Sequence, residues 1–331
     1  PDDEWPVQAH FRIPRGTADD GDFYRLPIPN DVRLDGGQLD LSDHPTPGDA
    51  LLGYDIVDRY LRAIEQHNDG WGVYPVTYFR FSGPIDFDTT QDQVKLIDLT
   101  LGSGLGHYYQ FSAHRNAYQC GNRFMVWPLP GSAYRPGHTY AAYLTTNVKA
   151  DNGSDVERSA DLVAMLSDTA PSDATLAAQW PKYALFRTYL TDQTIDPATV
   201  LTATVFTVGQ PQVVTERMAT AVVAGAAPTA TSWTLCDSNV TSPCPDTTGQ
   251  RACAAADPDF DELHALVTLP IYQEGTAPYV TPADGGDISL DGGGDPVPTG
   301  SEQVCLSLTV PNGAPPGGAW PTLVYGHGTG G

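Results

Sequence analysis

The chain has 331 residues, 40% of them hydrophobic, with six Trp and sixteen Tyr; that is apolar surface for more than one core and excludes a disordered tail. A net charge of −23, with lysine only at Lys95, Lys149 and Lys182, excludes a nucleic-acid or anionic-membrane surface, because like charges repel and no basic patch offsets them. The 33 Gly and 29 Pro predict many turns and a β-rich, loop-heavy body under a solvated acidic surface.

Residues 1–45 read as an extended strap, because the alternate prolines around Leu26-Pro27-Ile28-Pro29 cannot donate to a strand ladder. Leu52, Ile56, Val57, Tyr60, Leu61 and Ile64 recur at helical spacing and predict a helix over 49–66 whose apolar stripe packs on a core. Thr46-Pro47 would start it and Asn68-Asp69-Gly70 would stop it. From Tyr74 the rhythm alternates, predicting short strands at 76–82, 94–99, 108–111, 123–129 and 138–146. Residues 155–225 turn helical: a helix over 174–190 is kinked at Pro181, another spans 216–223, and a strand at 203–208 lies between them. An Ala/Pro/Thr/Ser-rich linker at 225–232 marks a boundary. Apolar runs at 263–271, 303–310 and 321–325 then predict three further strands, the last ending in Gly326-His327-Gly328-Thr329-Gly330-Gly331.

Five cysteines are present, three of them (Cys236, Cys244 and Cys253) within eighteen residues. No C-x-x-C occurs and no histidine stands beside them at zinc-ligand spacing, so a disulfide-stapled loop is expected in place of a zinc site. Cys236–Cys253 and Cys236–Cys244 are both open as short loops, and one cysteine of the five is left over by parity. An oxidising compartment follows, hence a secreted, extracellular or cell-surface protein whose signal peptide is absent from this chain. No run approaches the length of a transmembrane helix. Asn152-Gly-Ser and Asn239-Val-Thr fit the N-glycosylation acceptor pattern.

The acidic stretch carrying Asp284, Asp287, Asp291 and Asp295 offers carboxylates to calcium, but it lacks EF-hand spacing and a terminal Glu. A β-hairpin turning at Asp291-Gly292 accounts for the same residues. The remaining histidines are scattered, His264 among them, and read as surface or satisfied core residues. Aromatic pairs Trp71 with Tyr74 and Tyr108 with Tyr109 could suit a carbohydrate face, though core packing is the plainer reading.

Two stretches carry resemblances. Pro128-Leu129-Pro130, Tyr134-Arg135-Pro136-Gly137-His138-Thr139-Tyr140 and Leu144-Thr145-Thr146 resemble the late strands of bacterial surface Ig-like domains. Trp320-Pro321-Thr322-Leu323-Val324-Tyr325-Gly326-His327-Gly328-Thr329-Gly330-Gly331 looks like the third strand and following loop of α/β-hydrolases. Together with the Leu-Pro-Ile-Pro-Asn-Asp strap, the chain is similar to bacterial virulence-factor lipases. The resemblance implies a mixed fold: an N-terminal Ig-like β-sandwich with flanking helices, followed by the first strands of an α/β-hydrolase sheet. It implies a strap and helix over 1–73, a sandwich with a helical insertion over 74–225, and a disulfide loop with the oxyanion strand over 226–331.

By the same resemblance, amides of the turn at His327, Gly328, Thr329 and Gly330 would face the oxyanion, with Gly328 and Thr329 nearest and His327 bracing the turn. One such donor contributes about 3 kcal/mol to transition-state stabilisation, and glycines let the backbone approach. No G-x-S-x-G exists anywhere in the chain, and Ser103 in Gly102-Ser103-Gly104 lacks the spacing. Nucleophile, acid and histidine of a small-ester or lipid hydrolase are therefore expected beyond Gly331, on the C-terminal half of the same precursor. The competing expectation is a non-catalytic extracellular surface or assembly protein.

Overall fold

The structure, a computed structural model, describes residues 5–15, 23–115, 120–244, 252–279 and 281–326. It divides into two compact units, Pro1–Pro211 and Gln212–Gly331. The division thus falls upstream of the linker at 225–232, and the strap, helix and strands expected as separate 1–73 and 74–225 segments share the first unit. The fold is mixed and β-rich; among the described residues all pairings between strands are antiparallel, and no sheet closes into a barrel.

The first unit runs through a small hairpin, β1 (Leu34–Asp35) and β2 (Gln38–Leu39), then helix α1 (Ile56–His67). Strands β3 (Thr77–Arg80), β4 (Val94–Asp98), β5 (Ser103–Gly104), β6 (His107–Ser112), β7 (Arg123–Pro128) and β8 (Thr139–Thr145) follow. Helices α2 (Ala160–Met165), α3 (Ala174–Gln179) and α4 (Ala184–Asp192) precede β9 (Val200–Thr207). A three-stranded sheet has the order β3-β7-β6 and a four-stranded sheet the order β5-β4-β8-β9.

Side-chain alternation explains how these sheets are used. Phe79, Phe124 and Val126 of the first sheet share one core with Val94, Leu96, Tyr140, Ala142 and Phe206 of the second. The opposite face of the four-stranded sheet, with Ile97, Ala141, Tyr143, Ala203 and Val205, packs on Leu162, Met165, Leu176, Phe186 and Leu190 of the helices. Sheet, sheet and helices form successive layers, which is why β9 is buried along all but its last residue. Between α3 and α4, Pro181 sits in a single 3-10 turn, Trp180–Tyr183, which realises the kink that its missing N–H requires. The Tyr134-to-Tyr140 motif closes the end of the shared core. Tyr134 and Tyr140 pack on each other and on Phe206, Tyr140 OH accepts from Arg135 N at 2.8 Å, and His138 Nδ1 meets the buried Asp98 carboxylate at 2.9 Å.

The strap behaves as its prolines require. It touches the body through isolated bridges, Gln8 to Glu157, Ala9 to Phe81 and Ile28 to Tyr78, while Val7, Phe11, Ile13 and Leu26 are buried. Helix α1 departs from expectation twice. It begins at Ile56, capped by Asp55, whose carboxylate accepts from Val57 N and Asp58 N; upstream, Gly53 at φ 74° lies in the left-handed region and cannot continue a helix. Its apolar stripe is not core: no residue of the helix is buried, Tyr60 is 66% exposed, and Leu61 alone of its residues packs against the core.

Asp31, like Asp98, is a buried carboxylate of this unit. Its two oxygens accept from Thr207 N at 2.8 Å and Thr207 Oγ1 at 2.6 Å, which ties the strap to the end of β9. Burial raises its pKa above the ordinary 3.8, against those hydrogen bonds and the charge of Lys182. The folded state therefore binds this proton more tightly than the unfolded one. Its contribution is most favourable below the unfolded value and is lost as pH rises through the folded pKa. Asp31→Asn keeps an acceptor for Thr207 N without the charge. Urea midpoints taken from about pH 3 to about pH 8 should show the variant gaining on the wild type as pH rises; a constant difference would remove this assignment.

The second unit contains helix α5 (Gln212–Ala224), β10 (Ala230–Leu235), β11 (Phe260–Ile271), β12 (Gln273–Gly275), β13 (Gly285–Ile288) and β14 (Gly300–Pro311). Its main sheet has the order β10-β11-β14, with β11 and β14 paired without a register shift from Phe260↔Pro311 to Ile271↔Gly300. The small β12-β13 pair is inserted between those two strands, and the chain continues to a turn where Asp291 N donates to Asp295 O and Gly294 N to Asp291 O. A hairpin-like excursion therefore occupies the acidic stretch.

Candidate functional site

Three places in the second unit bear on function. At the C-terminal end, the strand expected over 321–325 is not formed. Leu323, Val324 and Tyr325 are 90%, 90% and 83% exposed. The β11–β14 ladder ends at Pro311, and Gly313, Gly317 and Gly318 have φ of 100°, 66° and 88°, which carries the chain away from that ladder. A Leu-Val-Tyr run has strand-forming side chains, but a strand also needs a hydrogen-bonding neighbour. His327, Gly328, Thr329 and Gly330, the expected oxyanion residues, lie outside the described residues, as does Gly331.

In the acidic stretch Asp284, Asp291 and Asp295 have local partners. Asp284 Oδ2 accepts from Thr281 N and Thr281 Oγ1 at 2.7 and 3.0 Å. Asp291 Oδ1 accepts from Gly293 N and Asp295 N at 2.8 and 3.0 Å, and these backbone bonds hold its carboxyl below the usual range. Asp295 lies 3.5 Å from the Arg217 guanidinium, which also donates to Gly293 O at 2.6 Å. Asp284, Asp287, Asp291 and Asp295 do not come together as a ligand set; among the described residues the single group able to do so is Cys236, Cys253 and His264.

The third place is that cysteine loop. Cys236 is bonded to Cys253 and Cys244 to Cys305. The first pairing is one of the two open in sequence; the second reaches across to β14, so Cys244 does not pair with Cys236. Cys120 is the cysteine left over, free and exposed, beside a cavity of about 100 Å³ lined by Tyr24, Tyr78, Phe79, Arg80 and Arg123. Glycosylation acceptors Asn152 and Asn239 are both exposed. Of the aromatic pairs, Trp71 is buried, whereas Tyr108 is 51% exposed beside Trp127.

Residues of β11 organise the cysteine loop. Glu262 and His264 alternate onto one face of that strand. His264 is 4% exposed. Its Nε2 is 3.0 Å from Glu262 Oε1 and its Nδ1 is 2.7 Å from Ser242 Oγ. Because the carboxylate only accepts, it selects the tautomer with the proton on Nε2, leaving the Nδ1 lone pair toward Ser242. Cys253 Sγ stands 3.9 Å from the same Nδ1, and Cys236 N donates to Glu262 O at 2.8 Å. Ser242 Oγ additionally accepts from Cys244 N at 3.1 Å, so its hydroxyl is held as an anchor of the loop.

The expectation that no histidine accompanies these cysteines holds along the chain and fails in space. His264 is eleven residues past Cys253 and returns to it because β11 pairs with β10, which leads directly into Cys236. The one sequence signal available was the Glu262-x-His264 alternation at the start of an apolar run.

No protein-family model matches the sequence, and no curated protein matches it. Among solved structures, the chain aligns with the crystal structure of the S-layer protein rSbsC(31-844) at 9% identity and a TM-score of 0.23. That alignment covers 72% of this chain and 31% of the S-layer chain; a likeness this slight carries no argument about fold or function.

Proposed function

We propose that this chain is the N-terminal portion of a secreted ester or acyl hydrolase, supplying the opening antiparallel strands and the oxyanion turn of an α/β-hydrolase sheet. In this reading the first unit is an Ig-like β-domain, and β11 and β14 are the first two strands of the catalytic sheet. The nucleophile, acid and histidine lie on the C-terminal half of the same precursor, and the substrate is a small ester or a lipid. The two disulfides support an extracellular or cell-surface setting, and no described helix is long and apolar enough to cross a membrane.

The observation that carries the proposal is the bare Leu323-Val324-Tyr325 run, 83–90% exposed. Three consecutive apolar, strand-forming side chains held in solvent need a partner, and they lead directly into the glycine turn. A strand inserted next to other catalytic-sheet strands would bury them and aim the following amides at a developing oxyanion.

The test is a fluorophosphonate probe with short-chain p-nitrophenyl esters, applied to the protein in its natural length. The expected result is ester hydrolysis with a single labelled serine in a peptide following Gly331. Absence of both would replace the hydrolase with the non-catalytic extracellular surface or assembly module.

A further inference from the structure

The cysteine loop brings two sulfurs and an imidazole nitrogen to one point, within 4.8 Å of one another. His264 and Cys236 are each 4% exposed, and Cys253 is half-buried. Glu262 on the far ring nitrogen gives the order carboxylate, imidazole, sulfur, which is the outer-shell arrangement that orients a metal-bound histidine and raises its basicity. A structural disulfide needs neither a buried imidazole 3.9 Å from one of its sulfurs nor a carboxylate fixing that imidazole's tautomer.

We propose that this loop has a second state, in which Cys236, Cys253 and His264 bind a zinc-class divalent cation once the Cys236–Cys253 bond is reduced. A thiol reductant supplies two electrons: two of its molecules become one disulfide, and Cys236 and Cys253 each gain a proton. Metal binding then expels both protons, and the cation takes two thiolates and the neutral Nδ1. Two thiolates cancel the charge of a divalent cation, so the loaded centre adds no net charge to a buried place. Zinc holds sulfur at about 2.3 Å and nitrogen at about 2.0–2.1 Å. Ligand atoms around one ion then stand roughly 3.5–3.8 Å apart, within reach of rotations at Cys253 and Cys236. Ser242 Oγ, 2.7 Å from Nδ1 in the disulfide state, would have to give up that lone pair to the cation, and a water would complete the four-coordinate set. Sulfur and imidazole donors select zinc, cobalt or a similar ion over calcium or magnesium.

The experiment uses the full chain, reduced anaerobically with a phosphine and titrated with Co²⁺ alone. The expected result is one Co²⁺ per chain, with the visible bands of a four-coordinate ion and near-ultraviolet thiolate-to-cobalt charge transfer. Cys253→Ser and His264→Ala should each remove those bands; Glu262→Gln should weaken binding about 10- to 100-fold; Cys120→Ser should change nothing. A pale six-coordinate spectrum, or variants at Cys253 and His264 that bind as the wild type does, would overturn the proposal. Alkylation of reduced wild-type protein covers the case in which a variant fails to fold. Zn²⁺ should shield Cys236 and Cys253 from maleimide while Cys120, Cys244 and Cys305 label; equal labelling of all five with and without Zn²⁺ also overturns it.

Discussion

Replacing Cys244 and Cys305 together by serine should cost the second unit about 4 kcal/mol, more than any other covalent change available to it. Their bond spans a sequence separation of 61, against 17 for Cys236–Cys253. In the chain-entropy account the loss grows with the logarithm of loop length, giving about 4 kcal/mol for the long loop and about 3 kcal/mol for the short one. The long bond also fastens the cysteine loop to β14, since Cys305 lies opposite Leu266 of β11. A 4 kcal/mol loss is roughly a thousandfold in the opening equilibrium. Amide exchange in peptides from β11 and β14 should accelerate by about that factor, while β8 and β9 of the first unit keep their protection. Unchanged exchange in β14 would mean that the ladder holds itself without the staple.

That staple also marks where sequence reasoning stopped. Short-range patterns were readable: Thr77 and Phe79 point into the core while Tyr78 and Arg80 are half-buried, and this alternation is what identified the strands of the first unit. Pro181, Asn68 and the alternate prolines of the strap likewise act where they stand, through one residue's own geometry. Properties set by distant neighbours were not readable. Cys244 chose a partner 61 positions away, beyond any argument from proximity. His264 looked solitary because its companions arrive by strand pairing. Helix α1 has the periodicity of a core helix, yet periodicity reports only that apolar side chains share a face, not that anything covers it. The run at 321–325 failed as a strand for a related reason: its side chains suit a sheet, and no described strand offers it a ladder.

Helices α1 and α4 both carry aromatic and aliphatic side chains, so one pair of substitutions separates burial from periodicity. Phe186 is fully buried, with its ring centroid 5.3 Å from that of Tyr143 on the four-stranded sheet and 6.5 Å from that of Tyr189. Truncation there removes a ring from the helix–sheet layer and leaves a cavity that β8 and β9 cannot collapse into, because their other face is committed to the second core. Phe186→Ala should therefore destabilise the first unit by about 3–5 kcal/mol. Tyr60 sits on the apolar face of α1 but is 66% exposed, so Tyr60→Ala should stay within about 0.5 kcal/mol of the wild type. Urea unfolding of both variants, followed by a probe of the first unit, decides between the two readings of that helix. If Tyr60→Ala cost as much as Phe186→Ala, the α1 stripe would be covered in solution. A near-silent Tyr60 beside a crippling Phe186 would place the energetic core of the unit where the sheet is sandwiched, and leave α1 held by the contact of Leu61 and by the Glu65 carboxylate, which accepts from Leu41 N.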